Sequence, residues 1–205
     1  MSHEPPVSGL PGVRYGRVAR HGDERGDFRE LWRAGATEAD LTLEETGAPP
    51  GSTPRFVQAN LSTSAPGVLR GLHLHRHQLD RWVVADGRAL VALVDVRPLL
   101  ADPPDPAATP LVETRELEAD ESVVIPTGVA HGFLALEPLV LVYFVTNEYD
   151  GSDELGFAWD DPLAAVPWPV VADSLDGRPI LSGRDRTNPS LTELVASLRS
   201  EARDR

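Results

Sequence analysis

The chain of 205 residues contains neither cysteine nor lysine. Without cysteine, disulfides, thiolate metal sites and thiol nucleophiles are excluded. Without lysine, Schiff-base chemistry and lysine general bases are excluded, so an anion must be held by arginine, histidine or main-chain N–H groups. All 19 basic residues are arginines, set against 32 acidic ones, and the formal net charge is −13. That excess argues against nucleic-acid binding, which depends on many phosphate contacts from basic side chains. No apolar run approaches the length of a bilayer span, and the opening MSHEPPVSGLPG has no basic stretch leading into an apolar one. These absences lead to the expectation of a cytoplasmic protein with neither a membrane nor a nucleic-acid partner.

What is present is a series of short runs rich in valine and leucine, at 55–62, 81–84, 89–96, 121–125 and 139–146, separated by Gly, Pro and Asp clusters. Such spacing predicts a mainly β fold, a sandwich or barrel, rather than alternating β and α units. The proline-rich stretches 98–110 and 46–54 read as surface loops. Helix is expected at the end, where Ser190-Leu-Thr-Glu193 has the form of a capping box and Leu191, Leu194, Val195 and Leu198 follow helical spacing. The length fits a single domain, with a barrel core over about 13–170 and a C-terminal segment and helix over 171–205 packed on its outside.

Four of the six histidines fall in two short segments. In RGLHLHRHQLD, at 70–80, His73, His75 and His77 occupy alternate positions, and a strand would turn all three to one face. His131 lies in IPTGVAHGF, at 125–133. The first run parses as H-x-H-x4-D-x6-G through His73, His75, Asp80 and Gly87, the second as P-x-G-x2-H through Pro126, Gly128 and His131. These runs resemble the paired motifs of the cupin superfamily, which implies a small double-sheet jelly roll with the site inside the barrel and a few short peripheral helices. In metal-binding cupins the motifs supply imidazoles and one carboxylate. On that reading His73, His75, Asp80 and His131 would hold one divalent transition metal, a donor set suited to Fe, Mn, Ni or Zn.

Within the cupins the chain resembles the nucleotide-sugar 3,5-epimerases typified by dTDP-4-dehydrorhamnose 3,5-epimerase, over roughly 13–191. The resemblance rests on DERGDFRE (23–30), FVQANLSTSAPGVLRGLH (56–73), IPTGVAHGF, VYFVTNEYDGSDELGFAWDDP (142–162), the pair Trp168-Pro169 and ILSGRD (180–185), all in the same order. It implies an isomerase that epimerises C3, C5 or both on a nucleotide-diphospho-4-keto-6-deoxysugar, without a cofactor, as a homodimer. By motif position it implies that His73 is the base, Asp185 its carboxylate partner and Tyr143 the acid on the opposite face of the sugar. Arg25, Phe28 and Glu30 match a segment that contacts nucleotide and diphosphate, often across a dimer interface. Gln58, Asn60 and Arg70 match positions lining the sugar-diphosphate site. His131 is expected to line the same pocket, and Tyr149 to cap the base or phosphate. The chemistry is coherent in its own terms. A proton beside a ketone is acidified because its loss gives an enolate, and a histidine–aspartate dyad suits its removal.

The pattern departs from the family in two places. The residue aligned with Asp80 is usually a lysine thought to stabilise the enolate oxygen, and this chain has no lysine to replace it. The loop after RGLH is also shorter and carries His75 and His77. Two compensations present themselves: a metal on the histidine–aspartate set, which would compete with His73 as base, or Arg76 or Arg81 pairing with Asp80. The remaining alternatives are a metal-dependent cupin enzyme of another reaction, using His73, His75, Asp80 and His131, and a non-catalytic sugar-nucleotide binding protein.

Overall fold

Short apolar or alternating runs broken by glycine and proline form antiparallel strands in the computed structural model, which describes residues 7–37, 41–171 and 177–203. In chain order the strands are β1 (Arg14–Arg17), β2 (Arg20–Asp23), β3 (Gly26–Arg29), β4 (Gln58–Ser64), β5 (Leu69–Leu74) and β6 (Asp80–Asp86). They continue with β7 (Arg88–Asp95), β8 (Leu111–Glu118), β9 (Glu121–Ile125), β10 (Val129–Ala135), β11 (Leu139–Val145) and β12 (Leu155–Gly156). The helices are α1 (Ala34–Thr37), α2 (Leu43–Thr46), α3 (Gly183–Thr187) and α4 (Leu191–Arg203). Two five-stranded sheets, β1-β9-β6-β11-β4 and β12-β5-β10-β7-β8, form the double-sheet jelly roll, and β2–β3 stands apart as a hairpin.

One core lies between the sheets, where Trp82, Val84 and Leu141 of the first meet Val91, Leu93 and Phe133 of the second. A second lies on the outer face of the β5-containing sheet. There Leu191, Leu194 and Leu198 of α4 cover Leu72, Leu74 and Val94. Each such buried leucine contributes roughly 1.5–3 kcal/mol of apolar burial. The capping box at the start of α4 is formed as expected: the Glu193 carboxylate accepts from Ser190 N at 2.8 Å, and Ser190 Oγ accepts from Glu193 N at 3.3 Å. A second box, Thr42 with Glu45, opens α2.

The strand runs read from sequence all appear, with ends shifted by a few residues. The three-histidine strand does not. β5 ends at Leu74, so His73 is on the strand, His75 is past its end, and His77 lies exposed in a bend. Val68 and Ile180 form a parallel bridge, and Leu69 N donates to Ile180 O at 3.0 Å. This contact carries the segment before α3 to the start of β5. Among the described residues no helix is long and apolar enough to cross a membrane. Residues 1–6 of the opening segment lie outside the described residues.

Candidate active site

The inner end of the jelly roll holds a cavity of about 450 Å³, lined from both sheets. β5 enters it through an irregularity. His73 pairs with His131 and Arg70 with Phe133 across the β5–β10 ladder, so three steps along one strand match two along the other. The extra residue is a bulge, which re-aims the side chains that follow it. Gly71 sits there at φ +126°, where a Cβ would lie 2.6 Å from Gly132 Cα. A regular strand would send Arg70 and His73 to opposite faces. With the bulge, both line the cavity.

His73 is backed by Asp185, with Nε2 2.8 Å from Asp185 Oδ1. Asp185 belongs to α3 and is only 4 % exposed, so it is no surface ion-pair residue. Ser182, the N-cap of α3, accepts from Asp185 N and donates its own hydroxyl to Oδ2 at 2.8 Å. Burial works against the Asp185 charge, but the hydrogen bond and charge of His73, with Ser182 and Arg184, outweigh it and hold the carboxyl below its usual pKa. An ionised Asp185 can only accept, so His73 Nε2 carries the proton and Nδ1 keeps its lone pair.

Tyr143 faces the cavity from the other sheet, on β11, in register with Asn60 of β4 and Trp82 of β6. Burial foremost, and then the charge of Asp80, raises its phenol pKa, so it is a protonated donor at neutral pH. Gln58, Asn60, Arg70, His131 and Tyr149 also line the cavity. Gln58 joins two of its neighbours: Nε2 donates to Asn60 Oδ1 at 2.9 Å, and Oε1 accepts from Tyr149 N at 2.9 Å.

Beside the dyad lies a second set. His75, Asp80 and His131 are buried and present one ligating atom each, all within 4.8 Å of one another. Asp80 accepts from Gln78 Nε2 at 2.8 Å and Trp82 Nε1 at 3.1 Å. Burial above all lowers the His131 pKa to about 4, despite the nearby Asp80 charge, so the ring is neutral near pH 7.

The family model for dTDP-4-dehydrorhamnose 3,5-epimerase matches residues 8–193. The chain belongs to that family. The spore coat polysaccharide biosynthesis protein SpsL of Bacillus subtilis is 34 % identical over 163 residues, 78 % of this chain and 96 % of that protein. The dTDP-4-dehydrorhamnose 3,5-epimerase of Escherichia coli is 33 % identical over 180 residues, 85 % of this chain and 86 % of the enzyme. Among solved structures, the epimerase of Legionella pneumophila in complex with dTDP-4-keto-L-rhamnose superposes with a TM-score of 0.75 at 27 % identity, covering 95 % of this chain and 96 % of that one.

Not every residue matched to the epimerase family by motif reaches the cavity. Arg25, Phe28 and Glu30 lie on or beside the β2–β3 hairpin, away from the cavity lining within one chain. Arg25 pairs with Asp23, Glu30 with Arg33, and Phe28 is 66 % exposed. The four-residue metal set is also corrected. His75, Asp80 and His131 group together, and His73 does not join them. Nor do the two arginines compensate Asp80. Arg76 pairs with Asp153 and Glu201, while Arg81 donates to Leu31 O and stacks over Phe144. Polar lining residues that the sequence did not single out include Ser62, Gln78, Glu154 and Arg184, although Arg184 stands next to Asp185 in the LSGRD motif and Glu154 lies within the 142–162 run.

Proposed function

We propose that this protein epimerises C3, C5 or both on a nucleotide-diphospho-4-keto-6-deoxysugar, acting as one catalytic domain. One observation carries the reading: His73 of one sheet, backed by Asp185 of α3, and the half-buried Tyr143 of the other sheet face a single cavity. His73 Nδ1 takes the proton beside the ketone, leaving an enolate. Asp185 holds the imidazole and stabilises its charged form. Tyr143 returns a proton from the opposite face, so the carbon inverts. The cycle closes when His73 loses its proton and Tyr143 regains one through solvent. One proton leaves carbon and one arrives, with no net electron transfer, so the step requires no redox cofactor.

Arg70 grips the diphosphate, with Gln58, Asn60, His131 and Tyr149 lining the sugar and its linkage. Arginine suits the diphosphate because its planar donors can bond two phosphate oxygens at once. Arg25, Phe28 and Glu30 act in a homodimer, in which the exposed hairpin of one protomer contributes to its partner's nucleotide site. The formulation fits what the relatives are named for: 3,5-epimerisation of a dTDP-4-dehydro sugar. A cytoplasmic location accords with substrates of this kind.

The test is incubation with dTDP-4-keto-6-deoxyglucose in D2O, with deuterium located by NMR. Label at C3, C5 or both is expected and shows which centres react. Confirmed binding without label would eliminate enolisation of that substrate.

A further inference from the structure

Removal of a proton from the sugar places negative charge on the ketone oxygen, while Asp80 lines the same cavity. Like charges in a partly desolvated site repel. Among the described residues no arginine is paired with Asp80. Arg76 and Arg81 are engaged elsewhere. Of the arginines lining the cavity, Arg70 donates to Ser64 Oγ and Thr63 O, and Arg184 to Glu154 and Leu155 O. The chain offers Asp80 neutral donors: Gln78 Nε2 at 2.8 Å on one oxygen and Trp82 Nε1 at 3.1 Å on the other.

The two histidines beside it add acceptors. His75 Nδ1 lies 2.7 Å from the carbonyl of Asp153, and His131 Nδ1 lies 3.1 Å from the carbonyl of Val129. A carbonyl only accepts, so each Nδ1 carries the proton and each neutral ring keeps a lone pair on Nε2. His131 Nε2 stands 3.8 Å from Asp80 Oδ2, beyond hydrogen-bond reach, and neither Nε2 has a hydrogen-bond partner among the described residues. Both histidines are more than nine-tenths buried yet line the cavity. The three residues thus bring one lone-pair atom each within 4.8 Å of one another, with no donor between them.

Buried acceptors facing one another call for donors. Three atoms so spaced all lie no more than about 2.8 Å from a common centre, the length of a charge-assisted hydrogen bond. A primary ammonium at that centre has three N–H donors, one for each acceptor, and its C–N bond points out of their plane into the cavity. Its charge also cancels that of Asp80. A hydroxyl has one proton and leaves two acceptors turned toward its own lone pairs.

We propose that His75, Asp80 and His131 seat a protonated amino group of the substrate's sugar, so that this chain takes an aminodeoxysugar nucleotide. The position of that group rests on the epimerase reading. In a 4-keto-6-deoxysugar the ketone is flanked by C5, which carries the methyl carbon and ring oxygen, and by C3, whose hydroxyl an amine can replace. An ammonium at C3 stands next to the ketone oxygen and supplies positive charge to the enolate, where Asp80 alone would repel it. It does so as part of the substrate, and the carbon-bound proton still leaves to His73 and returns from Tyr143.

Binding is tested without turnover, on sugars that lack the ketone. dTDP-3-amino-3,6-dideoxyglucose and dTDP-6-deoxyglucose, which differ in the C3 substituent alone, are titrated into the protein by calorimetry near neutral pH. The amino sugar should bind at least about tenfold more tightly, the scale of hydrogen bonds to a charged group. Asp80→Asn should abolish that preference while leaving affinity for the hydroxyl sugar within about threefold. Equal affinities in the unaltered protein, tighter binding of the hydroxyl sugar, or binding of neither would overturn the proposal, as would a preference that survives Asp80→Asn. The comparison of the two sugars needs no variant, so a variant that fails to fold leaves the answer standing. Proton exchange is followed separately, with the 4-keto form of each sugar in D2O. The amino preference without exchange in either ketone would defeat the epimerase reading alone. Exchange together with equal affinities would defeat the amino seat alone.

Discussion

The cavity holds histidine beside aspartate twice, and the two arrangements are wired in opposite senses. In the first, His73 turns Nε2 to the Asp185 carboxylate at 2.8 Å, so the carboxylate orients the ring and sets which nitrogen carries the proton. In the second, His75 and His131 hydrogen-bond to main-chain carbonyls, and burial holds His131 neutral despite Asp80 3.8 Å away. The same two residue types thus give a proton acceptor in one place and an electron-pair donor set in the other. What separates them is the partner of the second ring nitrogen, carboxylate or carbonyl. Residue type alone does not specify a histidine's role.

The sharpest way to break the first arrangement is His73→Ala. Deuterium incorporation should fall by about 10³-fold or more, with dTDP binding by calorimetry nearly unchanged. Exchange retained within tenfold would remove His73 from the mechanism. Asp185→Asn should come next, lowering exchange by about 10²-fold through loss of the charge and orientation behind the ring. A loss of under about threefold would reduce Asp185 to a helix-capping residue. Tyr143→Phe should be milder and selective. Product with inverted configuration should fall by roughly tenfold or more while exchange at the same carbon is nearly preserved, since the base is untouched. Equal losses in both would argue against an acid on the opposite face.

The smallest effect concerns acid stability. The Asp185 carboxyl titrates below its unfolded value, so between the two values the unfolded chain holds more protons than the folded one. Stability from this group is present above the ordinary carboxylate range and is lost as pH falls through the folded value. Wild type should therefore lose stability more steeply than Asp185→Asn below about pH 4, measured by denaturant melts across pH. Parallel curves would mean that the His73 contact does not hold the carboxylate in its charged form.

The strands that were legible in the sequence are those whose burial leaves a simple trace. LVLVYFV and ALVALV are apolar throughout because they sit inside the two sheets. LVETRELE, which forms β8, has little but Leu117 turned fully inward, and its charged residues hide the alternation. The β2–β3 hairpin, RHGD and GDFR, buries almost nothing and gives no apolar period to read. The alternation of His73, His75 and His77 was a true pattern with the wrong extent, because pairing with β10 stops at His73 and the chain then turns.

The sequence by itself determined a mainly β fold and the terminal helix, since local period and capping are properties of neighbouring residues, while the jelly roll and the dyad residues were legible only through the resemblance of ordered motifs to a known family. Only the tertiary structure decided which histidine meets which carboxylate. His73 and Asp185 are 112 residues apart and are brought together by the Val68–Ile180 bridge and the capped turn of α3. The β5 bulge, in turn, brings Arg70 and His73 to the same cavity. A hydrogen bond acts over about 3 Å of space whatever the distance along the chain, so such partners are set by how the sheets close.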